Sequence, residues 1–269
     1  MPPDLRGAAQ LARGDANGAV ADLSQAIALD PKQAAYYRDR AKAHAAAGDA
    51  AAAAQDIDAA LALAPDDAPL RIARATMRLD HGDRAGALED ANAAERLVPR
   101  GALDNIALVF VFEKLAPARS VALLDPMIAL HPGDPGLGKL LNSRCWARGL
   151  ANIELDKALA DCDAAIRRDG PRPQSLDSRA LVHLRQRDYA AAIADYDAAL
   201  KLAPDLASSL YLRGWATRAA GDATRGSADM AAARKLNPGI VERFEPYGLG
   251  GERAVQSGAT LDWPTKRPR

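Results

Sequence analysis

The chain has 269 residues, of which 49% are apolar and 26% charged, and it carries 35 basic and 35 acidic side chains. A neutral chain of this composition has enough apolar side chains for a buried core and no electrostatic attraction to nucleic acids or membrane surfaces. Its first residues, MPPDLRGAAQ, do not resemble a signal peptide. We therefore expect a soluble protein, cytoplasmic by default and periplasmic if a signal peptide has been removed.

A leucine followed two residues later by a proline recurs at regular intervals along the chain. The prolines are Pro31, Pro65, Pro99, Pro132, Pro204 and Pro238, at intervals of 34, 34, 33, 72 and 34 residues. The long interval contains one more copy, CDAAIRRDG, in which Gly170 takes the place of the proline. A fixed period of this length indicates an array of seven repeats of about 34 residues.

Each repeat has the pattern of two antiparallel helices. Before the closing proline, small and apolar residues fall at i, i+4 and i+7, one face of a helix, as in AVADLSQAIAL and AIADYDAALKL. A glycine that ends one helix and an aspartate that begins the next precede this segment. These turn residues are Gly14 with Asp15, Gly48 with Asp49, Gly82 with Asp83 and Gly221 with Asp222, and Arg187 with Asp188 in the sixth repeat. Another helix-length segment lies before each turn.

The most continuously apolar stretch, LDNIALVFVFEKLAP at residues 103–117, falls on the first helix of the fourth repeat. Its apolar run from Ile106 to Phe112 has seven residues, far below the roughly 20 that span a bilayer, which excludes a membrane anchor here. Its valines and phenylalanines favour a strand locally, but the repeats on both sides predict a helix. We expect Leu108, Val109 and Phe112 to point inward.

Residues 1–238 resemble the tetratricopeptide repeat, whose signature is W-x2-L-G-x2-Y, then A-x3-F, then P. The resemblance lies in the period, the turn, the closing prolines and the small residues Ala53, Ala60, Ala192 and Ala199. It implies an all-α fold, a right-handed superhelical solenoid of about seven helix-turn-helix repeats. The repeats then span about 1–33, 34–67, 68–101, 102–134, 135–172, 173–206 and 207–240. Residues 239–269 are expected to form a short capping helix and a flexible tail, in which Trp263 is a weak docking candidate.

The chain departs from the signature at two positions that change together. Six repeats carry an arginine in place of the leucine: Arg6, Arg40, Arg74, Arg144, Arg179 and Arg213. The same six carry an aspartate before the A-x3-F aromatic position: Asp22, Asp56, Asp90, Asp161, Asp195 and Asp229. The two columns predict ion pairs between packed helices rather than catalytic carboxylates.

Stacked helix pairs form a concave groove lined mainly by the first helix of each repeat, and in this family the groove binds a segment of a partner protein. Aligning the repeats of this chain with the family's repeat gives a repeat frame, in which each residue has a numbered position. This frame predicts the following groove residues: Arg38, Lys42, Ile106, Phe110, Trp146, Leu181, Tyr211, Trp215 and Arg218. It also places Ile72, Thr76, Lys139, Asn142, Asp177 and Arg185 there. Exposed aromatic side chains in a groove are typical binding anchors. The alternative is that the aromatic residues fill gaps between repeats as ordinary core.

Some members of the family bind a terminal carboxylate through lysine and asparagine residues of the first repeats. Ala73 stands at one of the asparagine positions, so this carboxylate site is not reproduced. Arg38 and Lys42, one helical turn apart, could still attract an acidic segment, or they form an ordinary solvated pair.

Cys145 and Cys162 lie on the two helices of the fifth repeat, at positions that face inward. They are either buried free thiols that act as small apolar side chains or a disulfide, which implies an oxidising compartment. Their spacing is not that of a zinc site.

The sequence contains no nucleotide-binding, hydrolase or metalloprotease motif. We therefore expect no enzyme activity, cofactor or metal. The favoured function is that of an adaptor or scaffold that binds a protein or peptide, without nucleic acid or membrane insertion. The alternatives are a structural or self-associating protein and a non-catalytic subunit of a larger complex, possibly in the cell envelope.

Overall fold

The computed structural model describes residues 1–249, and its helices follow one another in the predicted pairs. They are α1 (Pro3–Ala12), α2 (Ala16–Leu29), α3 (Ala34–Ala46), α4 (Ala50–Leu63), α5 (Ala68–Asp80), α6 (Arg84–Leu97), α7 (Ile106–Leu115), α8 (Pro117–Leu130), α9 (Leu137–Ala151), α10 (Leu155–Asp169), α11 (Pro173–Arg185), α12 (Tyr189–Leu202), α13 (Ala207–Ala219), α14 (Ala223–Leu236) and α15 (Ile240–Phe244). Short 3-10 helices occupy Leu103–Asn105 and Glu245–Tyr247. The predicted all-α fold is confirmed. Within residues 1–249, no helix is long and apolar enough to cross a bilayer.

The turns between paired helices use the predicted stop and start signals. Asp49 caps α4, since its carboxylate accepts a hydrogen bond from the backbone N–H of Ala52 at 3.0 Å, and it follows Gly48, whose φ is +83°. The other capping aspartates, each bonded to the N–H three residues later, are Asp15, Asp83, Asp188 and Asp222. A glycine reaches positive φ without the steric cost that a Cβ adds. Arg187 adopts φ +65° at the same place in the sixth repeat.

The chain divides into two compact units, Met1–Leu115 and Ala116–Arg269, here called the N-terminal and C-terminal units. In the N-terminal unit each helix from α1 to α7 packs against the next. In the C-terminal unit α8 to α14 do the same, and α9 also packs against α11. The division falls between the two helices of the fourth repeat, which is the repeat without the arginine and the aspartate.

The apolar stretch at residues 103–117 is helical, as the repeat frame predicts. Leu108, Val109 and Phe112 are fully buried, so the inward face is confirmed. Packing on that face outweighs the strand preference of the valines and phenylalanines.

The short helix expected after Pro238 is α15, which contacts α13 and α14. Ile240, Phe244 and Leu249 of this region are fully buried. The remainder of the expected tail, residues 250–269 with Trp263, lies outside the described residues.

Candidate functional site

An open cavity of about 640 Å³ lies in the N-terminal unit between α3, α4, α5 and residues 104–107. We call it the N-terminal groove. Two of the predicted groove residues, Arg38 and Lys42 of α3, line it, and so do Ile72 and Thr76 of α5. The rest of the wall is mostly apolar: Ala41, Ala45, Ala53, Ile57, Pro69, Leu70, Ala73, Met77, Asp104, Asn105 and Ala107. The repeat frame thus brings these four predicted side chains together around one space.

The α3 edge of the N-terminal groove carries more positive than negative charge. Asp39 accepts hydrogen bonds from both Lys42 Nζ at 2.9 Å and Arg38 Nε at 3.2 Å. Burial alone would raise the pKa of Asp39, but the bonds from Lys42 and Arg38 hold it below its ordinary value. Because Arg38 and Lys42 carry two positive charges and Asp39 only one negative charge, the two basic side chains can also attract a further anion.

The predicted groove residues of α7 do not line this cavity. Phe110 is 49% exposed and Ile106 is half-buried. Their neighbours Asp104, Asn105 and Ala107 line the cavity instead. Phe110 is therefore an exposed aromatic side chain on α7, outside the wall of the N-terminal groove.

Four predicted groove residues of the C-terminal unit are buried in one apolar core. Trp146, Leu181, Tyr211 and Trp215 are at most 8% exposed. They are not open to a partner. Their burial agrees with the alternative given above, in which the aromatic residues fill gaps between repeats as ordinary core.

The physical reason for this burial is that residues 240–249 lie over them. Ile240, Phe244 and Leu249 belong to the same core cluster. The Phe244 ring stacks on Tyr211, with centroids 5.7 Å apart, and meets Trp146 edge-on at 6.3 Å. We call the surface that α9, α11 and α13 present to these residues the C-terminal groove, and residues 240–249 the C-terminal segment.

Arg218, the last predicted groove residue, is half-buried on α13. Its Nη1 donates to Ser227 Oγ on α14 at 3.3 Å. It therefore links the two helices of the seventh repeat.

Two buried charged side chains accompany the apolar residues of the C-terminal groove. Asp177 accepts hydrogen bonds from Ser208 Oγ at 3.0 Å and Ser209 Oγ at 2.6 Å, and burial raises the pKa of Asp177 to about 6. Arg185 donates to the carbonyls of Gly149 and Leu150 at the end of α9 and to the carbonyl of Tyr247. Burial lowers the pKa of Arg185 to about 10. The sequence predicts Asp177 and Arg185 as groove residues. It did not predict Ser208 and Ser209 as the partners of Asp177.

The six predicted arginine–aspartate pairs are all present. In each pair the arginine Nε and Nη2 donate to the two carboxylate oxygens, as in Arg40 with Asp56 at 2.8 and 2.7 Å. The other pairs are Arg6 with Asp22, Arg74 with Asp90, Arg144 with Asp161, Arg179 with Asp195 and Arg213 with Asp229. The predicted ion pairs between packed helices are confirmed.

In five of these six arginines the third nitrogen, Nη1, makes a contact that the sequence did not predict. Arg74 Nη1 donates to Asp58 of the preceding repeat at 2.8 Å. The equivalent bonds run from Arg40 to Ser24, from Arg144 to Asp125, from Arg179 to Asp163 and from Arg213 to Asp197. Each acceptor stands two residues after the position of the aspartate column. This second recurring polar position in the sequence could have revealed the contact between repeats. These arginines tie adjacent repeats together and have a structural role.

Cys145 of α9 and Cys162 of α10 form a disulfide, and both residues are fully buried. Of the two alternatives that the sequence leaves open, the structure has the covalent bridge. It joins the two helices of the fifth repeat.

Comparisons with known proteins agree with this architecture. Residues 173–206 match the family model of the tetratricopeptide repeat. No curated protein sequence matches the chain.

Solved structures that are similar to this chain include proteins of the same repeat. A tetratricopeptide repeat protein from Parabacteroides merdae has a TM-score of 0.68 and 16% identity, covering 91% of this chain and 97% of that protein. YrrB, a tetratricopeptide repeat protein, has a TM-score of 0.55 and 19% identity, covering 71% of this chain and 97% of its own. The C-terminal part of a repeat protein from Cytophaga hutchinsonii has a TM-score of 0.54 and 14% identity, covering 89% and 97%. The chain therefore contains a tetratricopeptide repeat at residues 173–206 and has the fold of these tetratricopeptide repeat structures.

Proposed function

We propose that the chain is a non-catalytic adaptor that binds a segment of a partner protein in the N-terminal groove. Proteins with the tetratricopeptide fold typically bind other proteins and typically do not catalyse reactions. YrrB, one of the similar structures, is described as having an unusual peptide-binding site.

The open, mostly apolar cavity of about 640 Å³ carries this proposal. Exposed apolar clefts with a few polar groups at the edge are typical of binding sites. Ile72, Ala73 and Met77 offer apolar contact along α5, while Arg38 and Lys42 stand at the α3 side. The partner segment that fits this arrangement has apolar side chains along its length and an acidic residue near α3.

The test compares two charge-reversal variants of the full chain. Arg38→Glu with Lys42→Glu changes the charge at the groove, whereas Arg13→Glu with Lys32→Glu makes the same change in net charge at exposed positions outside it. Each protein is immobilised and exposed to an extract of the cells that contain it, and retained proteins are quantified by mass spectrometry. We expect a partner that the unchanged chain and the control retain and that the groove variant loses at least tenfold.

A third variant separates shape from charge. Thr76→Trp places a large side chain at the exposed wall of the groove and leaves the charges unchanged. It is expected to reduce capture of the same partner. Equal capture by all folded variants would show that the partner binds elsewhere.

Self-association is a second candidate because exposed leucines recur at one position of the repeat. The last residue of the second helix is an exposed leucine in six repeats: Leu29, Leu63, Leu97, Leu130, Leu202 and Leu236. Light scattering over a hundredfold range of concentration tests this candidate, since a constant monomer mass would contradict it. Charge reversal at Arg38 and Lys42 should leave that mass unchanged.

A further inference from the structure

We propose that the C-terminal groove is a second binding site, occupied by the chain's own C-terminal segment, and that a partner segment with the same spacing of apolar side chains displaces it. The partner is a protein segment with an aliphatic residue, an aromatic residue four positions later and an aliphatic residue five positions after that. This site lies in the C-terminal unit, so its occupancy can be tested separately from binding in the N-terminal groove.

The floor of this groove consists of residues that the sequence predicts to be groove residues. Trp146 of α9, Leu181 of α11 and Tyr211 of α13 come from three successive repeats and lie in one cluster with the segment. Arg185, also on α11, adds a donor beside them. The groove therefore has both apolar and polar recognition groups.

The C-terminal segment is one-sided, as a bound peptide is. Ile240, Phe244 and Leu249 are fully buried, whereas Glu242 and Glu245 between them are exposed. Its helix α15 has only five residues, too short to be stable without the surface that it covers. The segment is thus held by the groove rather than by its own helix.

The reach of the segment distinguishes it from a simple cap on the last repeat. A cap needs to cover only α13 and α14, the helices of the seventh repeat. Phe244 also touches Trp146 of the fifth repeat, with ring centroids 6.3 Å apart. Tyr247 accepts a hydrogen bond from Arg185 of the sixth repeat at 2.8 Å. The segment therefore extends along the groove across three repeats.

The polar contact to the segment does not depend on its sequence. Arg185 donates to the backbone carbonyl of Tyr247, so any segment with a carbonyl at that point can replace the contact. Within residues 1–249, the buried Nε1 of Trp215 has no hydrogen-bond partner, which is a cost of the present packing. Selectivity then rests on the spacing of the apolar side chains.

The experiment measures whether the segment binds as a separate peptide. A fluorescein-labelled peptide of residues 239–249, GIVERFEPYGL, is titrated by anisotropy against the full chain and against its Phe244→Ala variant. The variant weakens the internal segment, so we expect it to bind the peptide at least tenfold more tightly than the unchanged chain does. A peptide with alanine in place of Phe244 should bind neither protein.

A control is Leu88→Ala, a truncation of an exposed apolar side chain on α6 of the N-terminal unit. It should bind the peptide as weakly as the unchanged chain. A Phe244→Ala chain that keeps its helical circular dichroism but binds the peptide no better than the control would overturn the proposal.

Hydrogen exchange of the unchanged chain decides the matter even if the variant does not fold. The amides of Arg243, Gly248 and Leu249 donate within the segment and its turn. If the segment opens by itself, they exchange at least tenfold faster than the amides in the middle of α13. Exchange of both groups at one common rate would show that the segment is a permanent part of the core and would overturn the proposal.

Discussion

In the N-terminal unit, Arg38, Lys42 and Thr76 stand at the wall of an open cavity of about 640 Å³. In the C-terminal unit, the corresponding helices carry Trp146 and Tyr211, which lie buried against Phe244. The same repeat therefore builds an open groove in one unit and a filled groove in the other.

This difference arises from the size of the groove side chains and from the residues that follow the seventh repeat. Small residues such as Ala73 line the N-terminal groove, while large aromatic rings in the C-terminal groove offer an apolar surface that is stabilised by being covered. The C-terminal segment supplies that cover. Position in the repeat thus determines which residues can form a groove, but not whether the groove is accessible.

The largest expected difference between the units is in the free energy of unfolding lost when one aromatic side chain is truncated in each. Trp215→Ala removes a ring that is 2% exposed and should destabilise the C-terminal unit by about 3–5 kcal/mol. Phe110→Ala removes a ring that is 49% exposed and should change the free energy of unfolding by less than about 1 kcal/mol. Denaturant unfolding followed by circular dichroism measures both. Similar losses in the two variants would contradict the difference in burial.

The next effect comes from the disulfide, which only the C-terminal unit contains. Cys145 and Cys162 are 17 residues apart, and closing a loop of this length stabilises a fold by about 3 kcal/mol. We expect a double Cys→Ser variant to lower the melting temperature of the C-terminal unit and leave the N-terminal unit unchanged. Calorimetry with and without reductant provides the control, since reductant should affect only the unchanged chain. A melting temperature that does not respond to either change would contradict the stabilising role.

A comparable effect depends on pH, because Asp177 is a buried carboxyl in the C-terminal groove. Burial raises its pKa to about 6, above the ordinary value of about 3.9. The folded chain therefore holds this proton more tightly than the unfolded chain. The stability linked to that proton is complete below about pH 4 and is lost as the pH rises through about 6.

Asp177→Asn keeps the site neutral at every pH and should remove this loss. The difference in unfolding free energy between the variant and the unchanged chain should grow from pH 4 to pH 7, by at most about 3 kcal/mol in favour of the variant. Urea unfolding at several pH values measures it. Asp205→Asn, at an exposed position, is the control and should give a flat difference. An equally flat result for Asp177→Asn would show that its carboxyl is solvated.

Local and periodic features of the fold could be predicted from the sequence. The capping bond from Ala52 to Asp49 and the pair of Arg40 with Asp56 involve residues at fixed separations that recur in each repeat. Such features are repeated often enough that one degenerate copy does not hide them.

Features that depend on a single long-range contact could not be predicted. Arg185 and Tyr247 are 62 residues apart, and nothing periodic connects them. The pairing of Cys145 with Cys162 depends on a Cα separation of 5.5 Å that spacing in the sequence does not determine. The burial of Trp146, Leu181, Tyr211 and Trp215 could not be predicted either, because it depends on the C-terminal segment that covers them.

The smallest expected effect concerns the turns, where the N-terminal unit uses glycine and the sixth repeat uses arginine. Gly48 has φ +83° and Arg187 has φ +65°. A Cβ at Gly48 would meet no atom within 4 Å, so its cost is conformational alone. Gly48→Ala should therefore destabilise the N-terminal unit by about 1 kcal/mol.

At position 187 the opposite change is expected. Comparing Arg187→Gly with Arg187→Ala cancels the loss of the arginine side chain and leaves the backbone effect, which should favour glycine by about 1 kcal/mol. Calorimetry should show this as a melting temperature about 2–4 °C higher for the glycine variant. Equal melting temperatures at position 187, together with a clear loss for Gly48→Ala, would mean that the sixth repeat relieves the strain of positive φ by another contact. In that case the sixth repeat would differ from the repeats with glycine turns in how it accommodates positive φ.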